Sequence, residues 1–121
     1  MRGAAQLNMK EQPMPWYFYL AWFFAGAFLT NSLPHLAQGL SGNRFQTPFA
    51  SPPGVGESSA RLNMIWGFAN VAAGGALLHA CFPPELPPPW GLCFTALIGG
   101  VVMGLRLSTH FSKVRSAPPH P

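Results

Sequence analysis

The sequence predicts an all-α membrane protein with about three transmembrane helices and a Gly/Pro-rich loop between the first and second helices. Charged residues make up only 8% of the 121 residues, whereas hydrophobic residues make up 49%. Ordinary globular proteins contain about 25% charged residues, so this chain has too few charges to coat a water-exposed surface. The few charges also fall almost entirely outside three long apolar stretches, and each stretch is typical of a membrane span.

The first apolar stretch follows a polar N-terminal tail at residues 1–15. Residues 16–32 carry no charge, and a 17-residue helix of this kind covers about 25 Å of a ~30 Å hydrocarbon core. The uncharged run continues past Pro34, so we predict a kinked first span over residues 16–36. A signal peptide is the alternative, because Ala25-Gly26-Ala27 is similar to a cleavage site.

Residues 37–61 form the predicted loop, which is rich in glycine and proline. Phe45 and Phe49 are expected to hold this segment at the membrane interface, so we predict a packed loop. Its charged residues Arg44, Glu57 and Arg61 are expected to cover the mouth of the helix bundle.

The second predicted span, residues 62–82, contains 21 uncharged residues and would be about 31 Å long as a helix. Two prolines end it, and the proline-rich connection to residue 89 favours a stiff turn. The third predicted span covers residues 90–111, with Arg106 reaching the interface or a partner group. Residues 112–121 are predicted to be a disordered tail. Residues 16–111 then form a single transmembrane domain.

The distribution of basic residues predicts the orientation. Three spans place the N-terminal tail, with Arg2 and Lys10, on one side of the membrane. The other side holds more basic residues: Arg44, Arg61, Lys113 and Arg115, with Arg106 at the boundary. The positive-inside rule therefore favours an outer N-terminus and a cytoplasmic C-terminus. The basic residues are scattered singly, which argues against nucleic acid binding.

Polar residues within the spans define a candidate site. The members are Asn31, His35, Gln38, Asn63, Asn70, Arg106 and His110. All but Asn70 are expected near the same membrane face, because three crossings bring the end of span one, the start of span two and the end of span three together. Ionisable groups at membrane depth are candidates for function, although polar groups near span ends also mark the interface. The two span-two asparagines favour an interhelical clamp, and the lining of a polar cavity is the alternative.

No catalytic motif and no cluster with metal-ligand spacing occurs in the sequence, so no catalytic residue, metal or cofactor is predicted. Haem held between His35 and His110 is an alternative, since two histidines on separate helices can serve as axial ligands. Proton-coupled transport usually uses a carboxylate within a span, whereas all three acids here lie outside the spans.

Cys81 and Cys93 fall at similar depth in the predicted hairpin between spans two and three. The favoured interpretation is two buried thiols, because free cysteine packs like a small hydrophobic residue. A disulfide is the alternative, since the side predicted to face outward permits one.

A block in and after the loop resembles small bacterial multi-pass membrane proteins to which we attach no activity. The block consists of Pro34-His35, Gly39, Gly42, Phe45, Thr47-Pro48-Phe49, Pro52-Pro53-Gly54, Ser58-Ser59, Asn63 and Trp66-Gly67. It covers about a third of the chain. The resemblance implies a bacterial inner membrane, and it transfers no functional residue.

Together these observations favour a non-enzymatic accessory or assembly subunit. Its expected partners are the lipid bilayer and either another membrane protein or further copies of itself. A small transporter or channel acting as an oligomer is the first alternative. A membrane enzyme or haem-binding protein using His35 and His110 is the second.

Overall fold

The computed structural model describes residues 12–118. They form three helices: α1 at Trp16–Leu40, α2 at Ala60–Ala80 and α3 at Trp90–Ser116. Two short strands, β1 at Phe45–Gln46 and β2 at Glu57–Ser58, pair antiparallel within the loop between α1 and α2. The predicted all-helical architecture is confirmed.

Helix α1 continues through Pro34, as the sequence predicted, and ends at Leu40, four residues beyond the predicted end of span one. Proline removes one backbone donor from the helix, and the remaining turns still form. The end of the helix is set by Gly42, whose φ of 79° lies in the left-handed region that glycine adopts without strain. The Gly42 N–H donates to the Gly39 carbonyl at 3.1 Å.

Helix α2 begins where a serine can cap it. Ser59 has an extended backbone, and its hydroxyl accepts a hydrogen bond from the Leu62 N–H at 3.2 Å. The helix ends at Ala80, two residues before the predicted end of span two, and the prolines that follow prevent it from continuing.

Helix α3 continues to Ser116, so the prediction of a disordered tail from residue 112 was wrong for residues 112–116. Lys113 and Arg115 are poor residues for a membrane span, yet cations in the last turn interact favourably with the helix dipole. Arg115 also lies over the ring of Phe45, 5.5 Å from its centroid. Pro118 follows shortly after the helix end. Residues 119–121 of that predicted tail, and residues 1–11 of the N-terminal tail, lie outside the described residues.

Helix α1 is the centre of the bundle. It packs along both α2 and α3, whereas α2 and α3 have little contact with each other. Four of the six buried hydrophobic residues in the described part belong to α1: Ala21, Trp22, Ala25 and Ala27. The indole N–H of Trp22 donates to the Cys81 carbonyl at 3.0 Å, which joins α1 to the end of α2.

Small residues let the helices approach one another closely. A Cβ added to Gly99 would overlap the carbonyl of Phe23, and one added to Gly26 would overlap the carbonyl of Ala96. The α1–α3 seam therefore depends on two glycines, one on each helix. Close approach through small residues is the usual way in which membrane helices associate.

The two cysteines are free thiols in the structure, so the possible disulfide between Cys81 and Cys93 is not formed in it. Cys81 caps the end of α2 with its backbone. The Cys93 thiol lies 4.0 Å from the carbonyl oxygen of Pro88. Each thiol is half-buried, consistent with a packing role.

Among the described helices, only α3 is both long enough and apolar enough to cross a membrane by mean hydropathy, which is 1.6 over its most apolar window. Helices α1 and α2 have sufficient length and a lower mean hydropathy. Tryptophan, tyrosine and amide residues lower the value in α1, and asparagines lower it in α2.

The glycine seam gives a direct test. Gly99→Ala places a methyl group against the α1 backbone, so we expect it to lower the free energy of unfolding by about 1–3 kcal/mol. Gly75→Ala is the matched control, because nothing lies within 4 Å of the added methyl group. Thermal unfolding in mild detergent measures both variants. Equal midpoints for the two variants would show that α1 and α3 do not meet at Gly99.

Candidate functional site

The polar site is organised by Asn63, whose side chain is completely buried. Its amide nitrogen lies within hydrogen-bond distance of three carbonyl oxygens: Phe45 at 3.0 Å, Ser58 at 3.2 Å and Ser59 at 3.1 Å. Its amide oxygen lies 2.8 Å from Nδ1 of His35. One side chain on α2 therefore holds α1, both loop strands and the start of its own helix.

This arrangement fixes the proton of His35. The three surrounding carbonyls can only accept hydrogen bonds, so the Asn63 nitrogen must face them and its oxygen must face His35. Nδ1 of His35 is consequently the donor of the 2.8 Å bond. In the neutral ring, Nε2 is then unprotonated and can accept a hydrogen bond.

The loop between α1 and α2 folds back over the end of the bundle. The hydroxyls of Thr47 and Ser58 are hydrogen-bonded to each other across the short β ladder. Arg44 donates to the Glu57 carbonyl at 2.9 Å, and its Nε lies 3.9 Å from the Glu57 carboxylate. That ion pair is exposed, so it contributes little beyond the backbone hydrogen bond.

Aromatic side chains attach the loop to the helices. Phe45 is 4% exposed, and its ring lies between those of His35 and Phe111, with centroid distances of 5.5 and 4.8 Å. The Phe49 ring meets Trp66 edge-on at 4.9 Å, although Phe49 keeps 59% of its surface exposed. Burial of these rings ties the loop to all three helices.

A second amide pair links α1 and α2 deeper in the bundle. Asn31 donates from Nδ2 to Oδ1 of Asn70 at 2.9 Å, and Asn70 donates to the Trp66 carbonyl at 2.8 Å. Asn63 and Asn70 both act as clamps between helices, as the favoured interpretation of the sequence had it. Neither of them lines the cavity described next.

A cavity of about 430 Å³ lies beneath the loop. Its walls come from both outer helices, from α1 and from the loop. The lining residues are Asn31, His35, Gln46, Thr47, Pro48, Pro53, Gly54, Trp66, Met103, Arg106, Leu107, His110 and Phe111. The volume lies within the ~300–1,000 Å³ range of small-molecule sites, and most of the wall is apolar with a few polar groups, as such sites usually are.

Two buried polar atoms at this cavity have no hydrogen-bond partner among the described residues: Oε1 of Gln46 and Nε1 of Trp66. Gln46 as a whole is only 6% exposed. An unpaired buried polar atom costs about 1–3 kcal/mol, and such atoms are rare in native structures. The occurrence of both residues in the wall of one cavity is a feature of a site that a ligand completes.

Histidine 110 connects the loop to α3. Its Nε2 lies 2.6 Å from the Gly54 carbonyl, which can only accept, so Nε2 is the donor. Gly54 has a φ of 73° and occupies the turn between the two strands. The glycine lets the loop backbone reach His110.

The structure brings together four of the seven predicted site residues in the cavity wall: Asn31, His35, Arg106 and His110. Asn63 and Asn70 lie outside the cavity wall and are hydrogen-bonded to His35 and Asn31, respectively. Gln38 does not join them, because it accepts a hydrogen bond from exposed Asn43 at 3.0 Å.

Of the predicted loop residues, Phe45 packs beneath the loop, Phe49 packs on Trp66, and Arg44 pairs with Glu57. Arg61 is exposed at the start of α2, outside the cavity wall. Sequence reasoning missed Gln46 and Trp66 as site residues. The sequence marked Trp66 only as part of the Trp66-Gly67 pair in the block that resembles bacterial membrane proteins.

The histidines of the site show no metal-binding arrangement. Within residues 12–118, no group of three or more His, Cys, Asp or Glu side chains is placed to hold a metal ion. Both histidines already use one ring nitrogen, His35 toward Asn63 and His110 toward Gly54. Each histidine keeps its second ring nitrogen, Nε2 in His35 and Nδ1 in His110.

Comparison with known proteins found no match: no family model, no curated protein and no solved structure matches this chain. The function is therefore inferred from the geometry of the site.

Replacing the central amide should release the loop. Asn63→Ala removes the hydrogen bonds to His35, Phe45 and Ser58, so we expect a loss of about 3 kcal/mol or more in the free energy of unfolding. Trypsin should then cut rapidly after Arg44, whereas in the unmodified protein we expect the folded loop to slow this cleavage. Asn43→Ala is the control, since that amide is exposed and bonds only to Gln38 among the described residues. Equal digestion of both variants would contradict the clamp.

Proposed function

We propose that this chain is a three-span integral membrane protein that serves as a non-enzymatic accessory subunit of a membrane assembly. The resemblance of its loop block to bacterial multi-pass membrane proteins favours a bacterial inner membrane. The observation that carries the proposal is the outer surface of the bundle, which presents large apolar side chains on every helix.

The packing of the helices supports insertion as a unit. Helix α3 has the length and hydropathy of a span, α1 packs along α3, and α2 packs along α1. A bilayer that holds α3 therefore also surrounds the other two helices. The modest hydropathy of α1 fits this placement, because tryptophan and tyrosine favour membrane interfaces, and Asn31 is paired within the bundle.

The exposed residues support lipid or protein contact. Leu97, Ile98 and Leu105 on α3 are 61%, 55% and 64% exposed, and Ile65 and Phe68 on α2 are 54% and 53% exposed. A water-soluble protein rarely exposes so extensive an apolar surface. In a membrane the same surface is solvated by hydrocarbon.

A shallow groove along the α1–α3 seam supports the accessory role. It is lined by small and aliphatic residues: Gly26, Leu29, Thr30, Ala96, Leu97, Gly100 and Val101. Membrane helices associate where small residues allow the backbones to approach. The groove therefore has the composition of a surface that receives a helix of another subunit.

An oligomeric transporter is the second candidate, and the polar cavity beneath the loop favours it. Three helices enclose little space by themselves, so such a function requires several copies of the chain. The two candidates differ in the identity of the neighbouring helix.

Photo-crosslinking distinguishes them. A photoreactive residue at Val101 in the groove should crosslink to a different membrane protein in native membranes, while one at Ile65 on α2 should label lipid alone. Mass spectrometry of the products identifies the neighbour. Crosslinks from Val101 to a second copy of the chain would favour the transporter, and lipid products at both positions would contradict the accessory role.

The orientation has its own test. All five Lys and Arg residues within residues 12–118 lie at one end of the bundle: Arg44, Arg61, Arg106, Lys113 and Arg115. The positive-inside rule supports placing that end, and with it the C-terminus, in the cytoplasm. A reporter active only in the cytoplasm should function when fused after Pro121. Activity of a periplasmic reporter at that position would reverse the orientation.

A further inference from the structure

The cavity lies at the polar end of an apolar stripe on α1. Phe24, Phe28, Asn31 and His35 follow one another at spacings of four, three and four residues, so they lie along one side of the helix. Phe24 and Phe28 are 50% and 36% exposed, whereas Asn31 and His35 line the cavity. A molecule with a polar head in the cavity can therefore extend an apolar tail along the two phenylalanines.

The charge of the cavity wall is positive. Arg106 lines the cavity, and no carboxylate of the described residues is paired with it. Glu57 is engaged with Arg44, and Glu85 lies in the connection at the opposite end of the bundle. An anionic oxygen of a ligand would supply the missing counter-charge, and an arginine binds carboxylate or phosphate through two parallel hydrogen bonds.

Two other polar atoms of the cavity wall are hydrogen-bond acceptors that need a donor from a ligand. Nε2 of neutral His35 is an acceptor because Nδ1 donates to Asn63. Oε1 of Gln46 is a buried acceptor without a partner among the described residues, and its terminal torsion is soft enough to turn toward a ligand. A simple anion would leave both acceptors unsatisfied. Hydroxyl groups on the same ligand would satisfy them.

We propose that this cavity binds the head group of an anionic polyol lipid, a phosphate diester that carries free hydroxyls. The phosphate pairs with Arg106, the hydroxyls donate to His35 and Gln46, and the hydrocarbon tail lies along Phe28 and Phe24. The inference goes beyond the accessory role and requires only the folded cavity. A failure to bind the lipid in detergent would therefore overturn this inference and leave the proposed membrane spans unaffected.

Native mass spectrometry of the full chain in mild detergent can test the proposal with four probes. Phosphatidylglycerol has the phosphate, hydroxyls and tails; phosphatidic acid lacks the hydroxyls, phosphatidylcholine is zwitterionic, and glycerol 3-phosphate lacks the tails. We expect phosphatidylglycerol to bind about tenfold more tightly than phosphatidylcholine, with phosphatidic acid between them. Glycerol 3-phosphate at the same concentration should not displace the bound lipid.

Three cavity variants and one control variant assign the binding to the cavity. R106Q should reduce phosphatidylglycerol binding about tenfold, to the level of phosphatidylcholine, and R106K should retain part of it because it keeps the charge. R61Q is the matched control, since Arg61 is an exposed arginine outside the cavity wall. Q46L should remove the preference for phosphatidylglycerol over phosphatidic acid while leaving phosphatidic acid bound.

Each contrary result overturns a defined part of the proposal. Equal binding by R106Q and R61Q would show that the lipid binds outside the cavity. Phosphatidic acid binding as tightly as phosphatidylglycerol would remove the role of the hydroxyls. Displacement by glycerol 3-phosphate would identify a site for a soluble polyol phosphate and overturn the lipid assignment.

Discussion

The rest of the structure depends on one buried amide. Asn63 is completely enclosed, and its four hydrogen-bonding contacts reach α1, both strands of the loop and the cap of α2. A buried amide is stabilising only when its donors and its acceptor are all satisfied, so the loop must fold onto α2 for the helix to accommodate Asn63. The same contacts orient His35, and the chemistry of the cavity wall follows from that orientation.

The second constraint is the central position of α1. Its glycine and alanine faces meet two helices that scarcely contact each other, which leaves a cleft over the remaining side of α1. The loop closes one end of that cleft, where the Gly54 carbonyl meets His110. The cavity is therefore a product of helix arrangement and loop geometry together, and neither element forms it alone.

The sequence predicted the helices and their order because uncharged runs of this length have few other structures available. It placed the end of α3 too early, since Lys113 and Arg115 count against a span but stabilise a helix end. The sequence also predicted that His35 and His110 lie at the same end of the bundle, because three consecutive crossings bring the ends of the first and third helices together. Gln46 could not be predicted as a cavity residue, because its place depends on how two-residue strands pair within an irregular loop. Trp66 lies on α2, and its place in the cavity wall depends on where the loop and α3 pack against that helix.

The pairing of Asn31 with Asn70 has a consequence for biosynthesis. The two residues are 39 positions apart, so at about 5–20 residues per second the ribosome makes the second amide roughly 2–8 s after the first. In the proposed three-span arrangement, a newly inserted α1 has no intramolecular partner for Asn31 during that interval. If the three helices span the membrane as proposed, we expect α1 and α2 to leave the translocation channel as a pair, so that each asparagine has its partner before it meets lipid.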